Sequence, residues 1–426
     1  MFAATPSTST TTHKAVLPFY AYASIAFLAA TVLLFTSTPA FTQHHFHPQT
    51  LAITHIVALG WGTMMILGAS HQLVPVLIEG KLYSNRLAYV TFLLAAIGIP
   101  LLVYGFYTFN MGWPAQWGGW LVNGAMVLYL GNLAMSIQKS KGENVHAVFI
   151  FTAAAWLLIT TIAGVLLVHN FTSPILSADS LHYLSLHAHL GIVGWFLLLV
   201  MGVGSRLVPM FLISKYNAPK RLWIIFGLIN GALALFIIFF FQNVSAPFYL
   251  LPVLLVLIAI VLFVQYSYIA YQQRIRKSVD EPMQLSMLSV LMLLLPLLLL
   301  LVLFFFLLFN NTQQQLVLAY GFVIFFGWLT AIILGMTFKT LPFIAWNKVY
   351  HQKAGLQKTP NPKDLFSNTV FKAMSLAYIG GFLVFATGIL TSVILLLQGG
   401  AALLLLTALL YNWNVFKIIF HQPKTP

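Results

Sequence analysis

Apolar residues run through this chain in long stretches separated by short polar segments, and each stretch reaches the roughly 20 residues that a helix needs to cross a bilayer. Twelve such stretches fall near 17–37, 50–77, 86–107, 118–138, 146–168, 184–213, 222–241, 248–271, 286–309, 314–344, 368–396 and 400–420. The pattern predicts an all-α polytopic membrane protein of about twelve transmembrane helices. Composition agrees: with 60% hydrophobic and 6% charged residues among 426, there are too few polar groups to cover a soluble surface.

The helices carry a repeat. His55-Ile-Val-Ala-Leu-Gly60-Trp61, His189-Leu-Gly-Ile-Val-Gly194-Trp195 and Phe322-Val-Ile-Phe-Phe-Gly327-Trp328 recur at intervals of 134 and 133 residues. Each is followed by a second glycine (Gly68, Gly202, Gly335) and then a proline (Pro75, Pro209, Pro342), at matching offsets. The pattern falls on the second helix of each group of four, so one membrane domain, 17–420, is expected to hold three pseudo-symmetric four-helix arcs, about 17–145, 146–277 and 278–420. Small residues allow close helix approach in lipid, so helices 2, 6 and 10 are expected around a central axis with Gly60, Gly194 and Gly327 at matching depth.

Charge sets the expected orientation. All 20 Lys and Arg lie in the two tails, at helix ends, or in alternate connections, those joining helices 2–3, 4–5, 6–7, 8–9 and 10–11. The positive-inside rule then puts both termini in the cytoplasm. The net charge of +14 is therefore a topology signal, and no basic face for nucleic acid is found. Arg206 and Lys339, at the repeat position of Gln72, are expected to snorkel to the cytoplasmic headgroups. Residues 1–16 read as a disordered cytoplasmic N-terminus without the features of a cleaved signal peptide, and 421–426 as a cytoplasmic tail.

The chain has no Cys, which excludes disulfides, thiolate ligands, iron–sulfur clusters and thioether-attached haem. Intramembrane chemistry is left to histidine. His71, His146, His169, His351 and His421 are expected near helix ends, satisfied by water or headgroups. His55 and His189 differ because the repeat makes them equivalent: two neutral imidazoles at one depth on neighbouring helices can ligate a planar macrocycle from opposite faces. His187 sits about 200° around the helix from His189, directed toward helix 10, where its repeat position is Tyr320. On the opposite side of the membrane, His44, His45, His47 and His182 form a second candidate set, suited by type to copper or zinc.

Leu186-His187-Ala188-His189 through Gly194, with Pro209 ending the helix, resembles the His-x-His helix of the haem–copper oxidase superfamily, in particular the large subunit of bacterial nitric oxide reductases and subunit I of cytochrome c oxidase. His55 through Pro75 resembles the helix that supplies one axial ligand of the low-spin haem. The resemblance covers the whole chain in layout and two helices in residues. It implies a bacterial inner-membrane protein in which His55 and His189 hold a low-spin haem b and His187 a second haem, with an electron donor or partner membrane subunits. The sequence departs from the family in three ways. Helix 7 has no His, so the second-metal ligands are absent; the His-x-His helix belongs to the second arc instead of the third; and the third arc has Phe322 and Tyr320. The expected function is haem-linked redox or gas-ligand chemistry, with nitric oxide or oxygen as the gas, without oxidase activity. With no central carboxylate in the spans, and Glu79 at the end of helix 2, proton pumping is not expected. The alternative is a transporter or metal-handling protein passing copper or haem. An absorption spectrum separates the two.

Overall fold

A computed structural model describes residues 12–423 except 79, 140–143, 276, 310, 312, 355 and 357. Among them are twelve helices long and apolar enough to cross a membrane: α1 His13–Thr36, α2 Pro48–Leu77, α3 Asn85–Tyr107, α4 Trp113–Ile137, α5 Val145–Thr172, α6 Leu184–Leu212, α7 Pro219–Phe241, α8 Ala246–Gln272, α9 Glu281–Leu308, α10 Gln314–Tyr350, α11 Asn368–Thr391 and α12 Ile394–Ile419. This is an all-α polytopic membrane protein, and a chain of this kind sits in a lipid bilayer, where helices satisfy every backbone polar group internally.

Several helix boundaries differ by a few residues from the sequence reading. The helix α1 begins at His13, so residues 13–16, expected in the disordered tail, form its first turn; Ala15 and Val16 are buried at 1% and 0% exposure, and that burial orders them. The repeat prolines lie inside their helices: α2 ends at Leu77 and α6 at Leu212, close to the ends of their apolar stretches, and α10 runs six residues further than its stretch, to Tyr350. Pro209 therefore does not end α6. Residues 1–11, Glu79 and residues 424–426 lie outside the described residues.

The chain folds as two compact units. The first takes Ser70–Val279 and Leu300–Thr312: the last part of α2, α3 to α8, and the end of α9. The second takes Thr12–Ala69, Asp280–Leu299 and Gln313–Pro426.

Inside each unit similar local contacts recur between the corresponding helices of each group, within a few residues of the repeat positions. The fourth helix of each group donates or shares a tyrosine hydroxyl with the second. Tyr129 Oη lies 2.9 Å from Ser70 Oγ, Tyr266 donates to the Ser205 carbonyl at 3.1 Å, and Tyr411 Oη lies 3.0 Å from Thr337 Oγ1. The next tryptophan along takes the edge of that ring, Tyr129 against Trp195 at 6.5 Å and Tyr411 against Trp61 at 5.2 Å, both near perpendicular. The three repeat tryptophans are among the most buried large side chains, at 0%, 1% and 2% exposure for Trp61, Trp195 and Trp328. The second helix also meets the first of its group at the repeat glycine: Gly68 against Phe19, Gly202 against Phe149, Gly335 against Ser286. Tyr129→Phe, Tyr266→Phe and Tyr411→Phe are each expected to lower stability by about 1 kcal/mol, read as the thermal midpoint in detergent; a shift at one position only would sink the equivalence.

Candidate functional site

All three repeat helices change register at the same place. The helices α2, α6 and α10 leave the α pattern for π-helix over Ile56–Thr63, Leu190–Leu197 and Val323–Leu329, at the repeat interval. Wide turns of this kind are rare and concentrate at functional sites. The residue just before each π segment is His55, His189 or Phe322, the position at which two copies of the repeat carry His and the third Phe.

His55 and His189 are held alike. Nδ1 of His55 lies 2.8 Å from the Leu51 carbonyl oxygen, and Nδ1 of His189 lies 2.7 Å from that of Ser185. A carbonyl only accepts, so Nδ1 carries the proton and donates. The neutral ring then has its lone pair on Nε2, which is the second-sphere arrangement that fixes a histidine as an Nε2 ligand. His189 also packs 5.4 Å from the Phe236 ring on α7. The two histidines belong to different units.

The third position is filled otherwise. Phe322 stacks on Phe385 at 4.7 Å, Phe326 at 5.2 Å and Phe382 at 5.8 Å. Carbonyls left over by the π segment are taken up by hydroxyls: Thr330 donates to Phe325 O at 2.7 Å, and Tyr378 on α11 reaches the carbonyls of Phe326 and Gly327 at 3.0 and 2.7 Å. Trp61 Nε1 donates to the Thr330 hydroxyl at 3.2 Å.

His187 departs from its expected direction toward helix 10. Its ring lies on Gly164 of α5, where an added Cβ would come within 3.0 Å of Cε1. A two-residue offset rotates it onto the neighbouring helix of its own group, and only the missing side chain of Gly164 makes room. His71 also differs: it is 2% exposed inside α2, with its ring 5.6 Å from Tyr129, because α2 continues past it. His146 bonds the Gly202 carbonyl at 2.9 Å, His169 accepts from Trp120 Nε1 at 3.1 Å and His421 meets Tyr350 Oη at 2.8 Å, so protein partners replace the expected water or headgroups.

The outer histidines are a poor donor set for a soft cation. His44 Nδ1 accepts from the Phe46 amide at 3.1 Å, which puts the proton of the neutral ring on Nε2 and uses its lone pair. Partial burial, and then the neighbouring charge of His45, lower its pKa. The His44 and His45 rings lie 4.2 Å apart, and His45 Nδ1 bonds Gln314 Oε1 at 3.0 Å. His182, in the other unit, packs on Tyr183 and Phe240. Among the described residues no group of three or more His, Asp or Glu is arranged to hold a metal ion.

Lys339 is a correction. It does not snorkel: it is 9% exposed and pairs with Asp280 at 2.7 Å, while Arg206 is exposed. The partner was hidden by distance in sequence, since Asp280 caps α9 by accepting from Met283 N and meets α10 only in the fold. Lys339→Ala is expected to cost about 3 kcal/mol, the lower end of the range for a broken buried pair because Asp280 keeps some solvent, and a thermal midpoint equal to that of the native chain would show that the pair contributes nothing.

No family model matches the chain, and no curated protein matches it in sequence.

Proposed function

We propose that this is a haem b-binding membrane protein in which His55 and His189 are the axial ligands. The observation that supports it is the twinned histidine geometry: equivalent repeat positions, each before a π segment, each with Nδ1–H bonded four residues back so that Nε2 carries the lone pair. A haem held in this way would supply one-electron transfer, and a diatomic gas would bind only where one of the two imidazoles gives up its axial position. The chain's own part is to orient the rings through the Leu51 and Ser185 carbonyls.

The redox or gas-ligand role, with nitric oxide or oxygen as ligand, is proposed without oxidase activity. Four-electron oxygen chemistry needs a second metal beside the first, and α7 supplies no histidine for one. The only carboxylate within the twelve spans is Glu281, at the first residue of α9, so a carboxylate proton relay is not built in. His187 remains the candidate ligand of a second haem only if it leaves Gly164. The charge distribution supports cytoplasmic termini, and a bacterial inner membrane follows from the oxidase-like layout of the sequence. Protein purified from haem-replete cells is expected to show a Soret band and, on reduction, the visible bands of low-spin haem b; a colourless, haem-free preparation ends this reading.

A further inference from the structure

Residues 180–279, which hold α6, α7 and α8, include seven Lys and Arg and no Asp or Glu. The described cations gather at one end of these three helices, within the first unit. The Ile275 amide donates to the Ile213 carbonyl at 3.2 Å, which ties the segment after α8 to the end of α6 and sets Arg274 opposite Ser214. Tyr266 bonds the Ser205 carbonyl, just before Arg206, and packs 4.9 Å from the Tyr216 ring. Arg206 and Arg221 both act electrostatically on the Tyr266 hydroxyl. The repeat supplies an internal comparison. Lys339, at the position of Arg206 in the third group, is paired with Asp280, the cap of α9. The cap of α5 is Asn144, which has no charge to offer. Among the described residues no carboxylate lies within ion-pair distance of Arg206, which is exposed, or of Arg221, which is half-buried.

We propose that this end of α6, α7 and α8 binds an anionic phospholipid, with its phosphate on Arg206 and Arg221 and an acyl chain along α7. A guanidinium offers a planar fork that matches phosphate oxygens, and basic sites between helices at the membrane boundary recruit anionic headgroups. The acyl chain is argued from α7 itself. Lys220, Ile224, Gly227 and Gly231 follow at i, i+4, i+7 and i+11, one stripe of the helix. The first three are exposed, and a Cβ on either glycine would meet nothing within 4 Å. A charged head thus stands above a strip that is apolar and locally bare of side chains, on one of the two least enclosed of the twelve helices. A free phosphate would use the arginines and leave the strip empty. A zwitterionic lipid would bring a further cation to a site already crowded with them. The site is independent of the haem reading and stands or falls separately from it.

The chain, purified in detergent and titrated with phosphatidylglycerol, is expected to retain the lipid in native mass spectrometry at a concentration about tenfold below that needed for phosphatidylcholine. Arg206→Gln and Arg221→Gln are each expected to weaken retention about tenfold or more, the worth of one charge-assisted hydrogen bond. Arg206→Lys should weaken it less, because the charge stays and only the fork is lost. Gly231→Leu fills the open strip and should also weaken retention, whereas Arg86→Gln, exposed on the first turn of α3, should not. Glycerol 1-phosphate in large excess should fail to displace the lipid, which separates a lipid site from a phosphate site. Glu143 lies outside the described residues, and Glu143→Gln should leave retention unchanged. A second readout is the thermal midpoint, which phosphatidylglycerol should raise in the native chain and not in Arg206→Gln, since a ligand of the folded state stabilises it. Equal retention of the two lipids, native retention in Arg206→Gln or in Gly231→Leu, displacement by glycerol 1-phosphate, or tighter retention in Glu143→Gln would each overturn the proposal.

Discussion

Replacing His55 by Ala is expected to abolish the low-spin haem b spectrum, and replacing His189 by Ala to do the same. One imidazole cannot keep the iron six-coordinate, so either change should remove the visible bands of the reduced protein, leaving at most a five-coordinate species. The two effects should match in size, because both rings are set the same way, by Nδ1–H bonds of 2.8 and 2.7 Å to the carbonyl four residues earlier. His187→Ala separates the roles: its ring lies on Gly164, so the low-spin bands should persist. The measurement is a reduced-minus-oxidised difference spectrum normalised to protein. Full bands in either His55→Ala or His189→Ala, in protein that is monodisperse and inserted, would remove that histidine from the ligand set.

Much of the architecture was legible before any coordinates, because a bilayer penalises unpaired backbone and so converts apolar length directly into helix. Helix edges were less legible. The first turn of α1 contains His13 and Lys14, polar residues that hide a buried Ala15 and Val16, and Pro209 looks like a stop although its helix continues to Leu212. The repeat marked the histidine positions, yet nothing in the letters announces a π register; that became visible only as three wide turns at the repeat interval. Partners far apart in sequence were hidden altogether: Lys339 with Asp280, and Tyr378 with the carbonyls of Phe326 and Gly327. The tyrosines were hidden from the 267-residue spacing of the Gly-Trp repeat, since Tyr129 and Tyr411 stand 282 residues apart, an offset that the third and fourth helices of the outer groups share because α10 and the connection after it are longer than their counterparts.

That offset supports the second large effect, a matched loss of stability at Gly105 and Gly388. The two glycines are 283 residues apart, and their neighbours Ala115 and Leu397 are 282 apart. An added Cβ at Gly105 would stand 2.8 Å from the backbone nitrogen of Ala115, and one at Gly388 would stand 2.8 Å from that of Leu397. Backbone cannot rotate aside, so the helix pair must separate: α3 from α4 in one unit, α11 from α12 in the other. Both pairs are otherwise clasped alike, with Ser84 exchanging hydrogen bonds with Asn132 and Ser367 with Asn414 at 2.9–3.0 Å. Overpacking against a fixed neighbour costs about 1–3 kcal/mol, and contact with backbone puts Gly105→Ala and Gly388→Ala at the upper end. Leu at either position should prevent a monodisperse preparation. Gly131→Ala, where a Cβ meets nothing within 4 Å, should instead be neutral or stabilise by up to about 1 kcal/mol through helix propensity. Thermal unfolding in detergent reads all three. Midpoints for Gly105→Ala and Gly388→Ala that remain near that of Gly131→Ala would show that the helices part without cost, and a large effect at only one of the two would mean that the outer groups are not built alike.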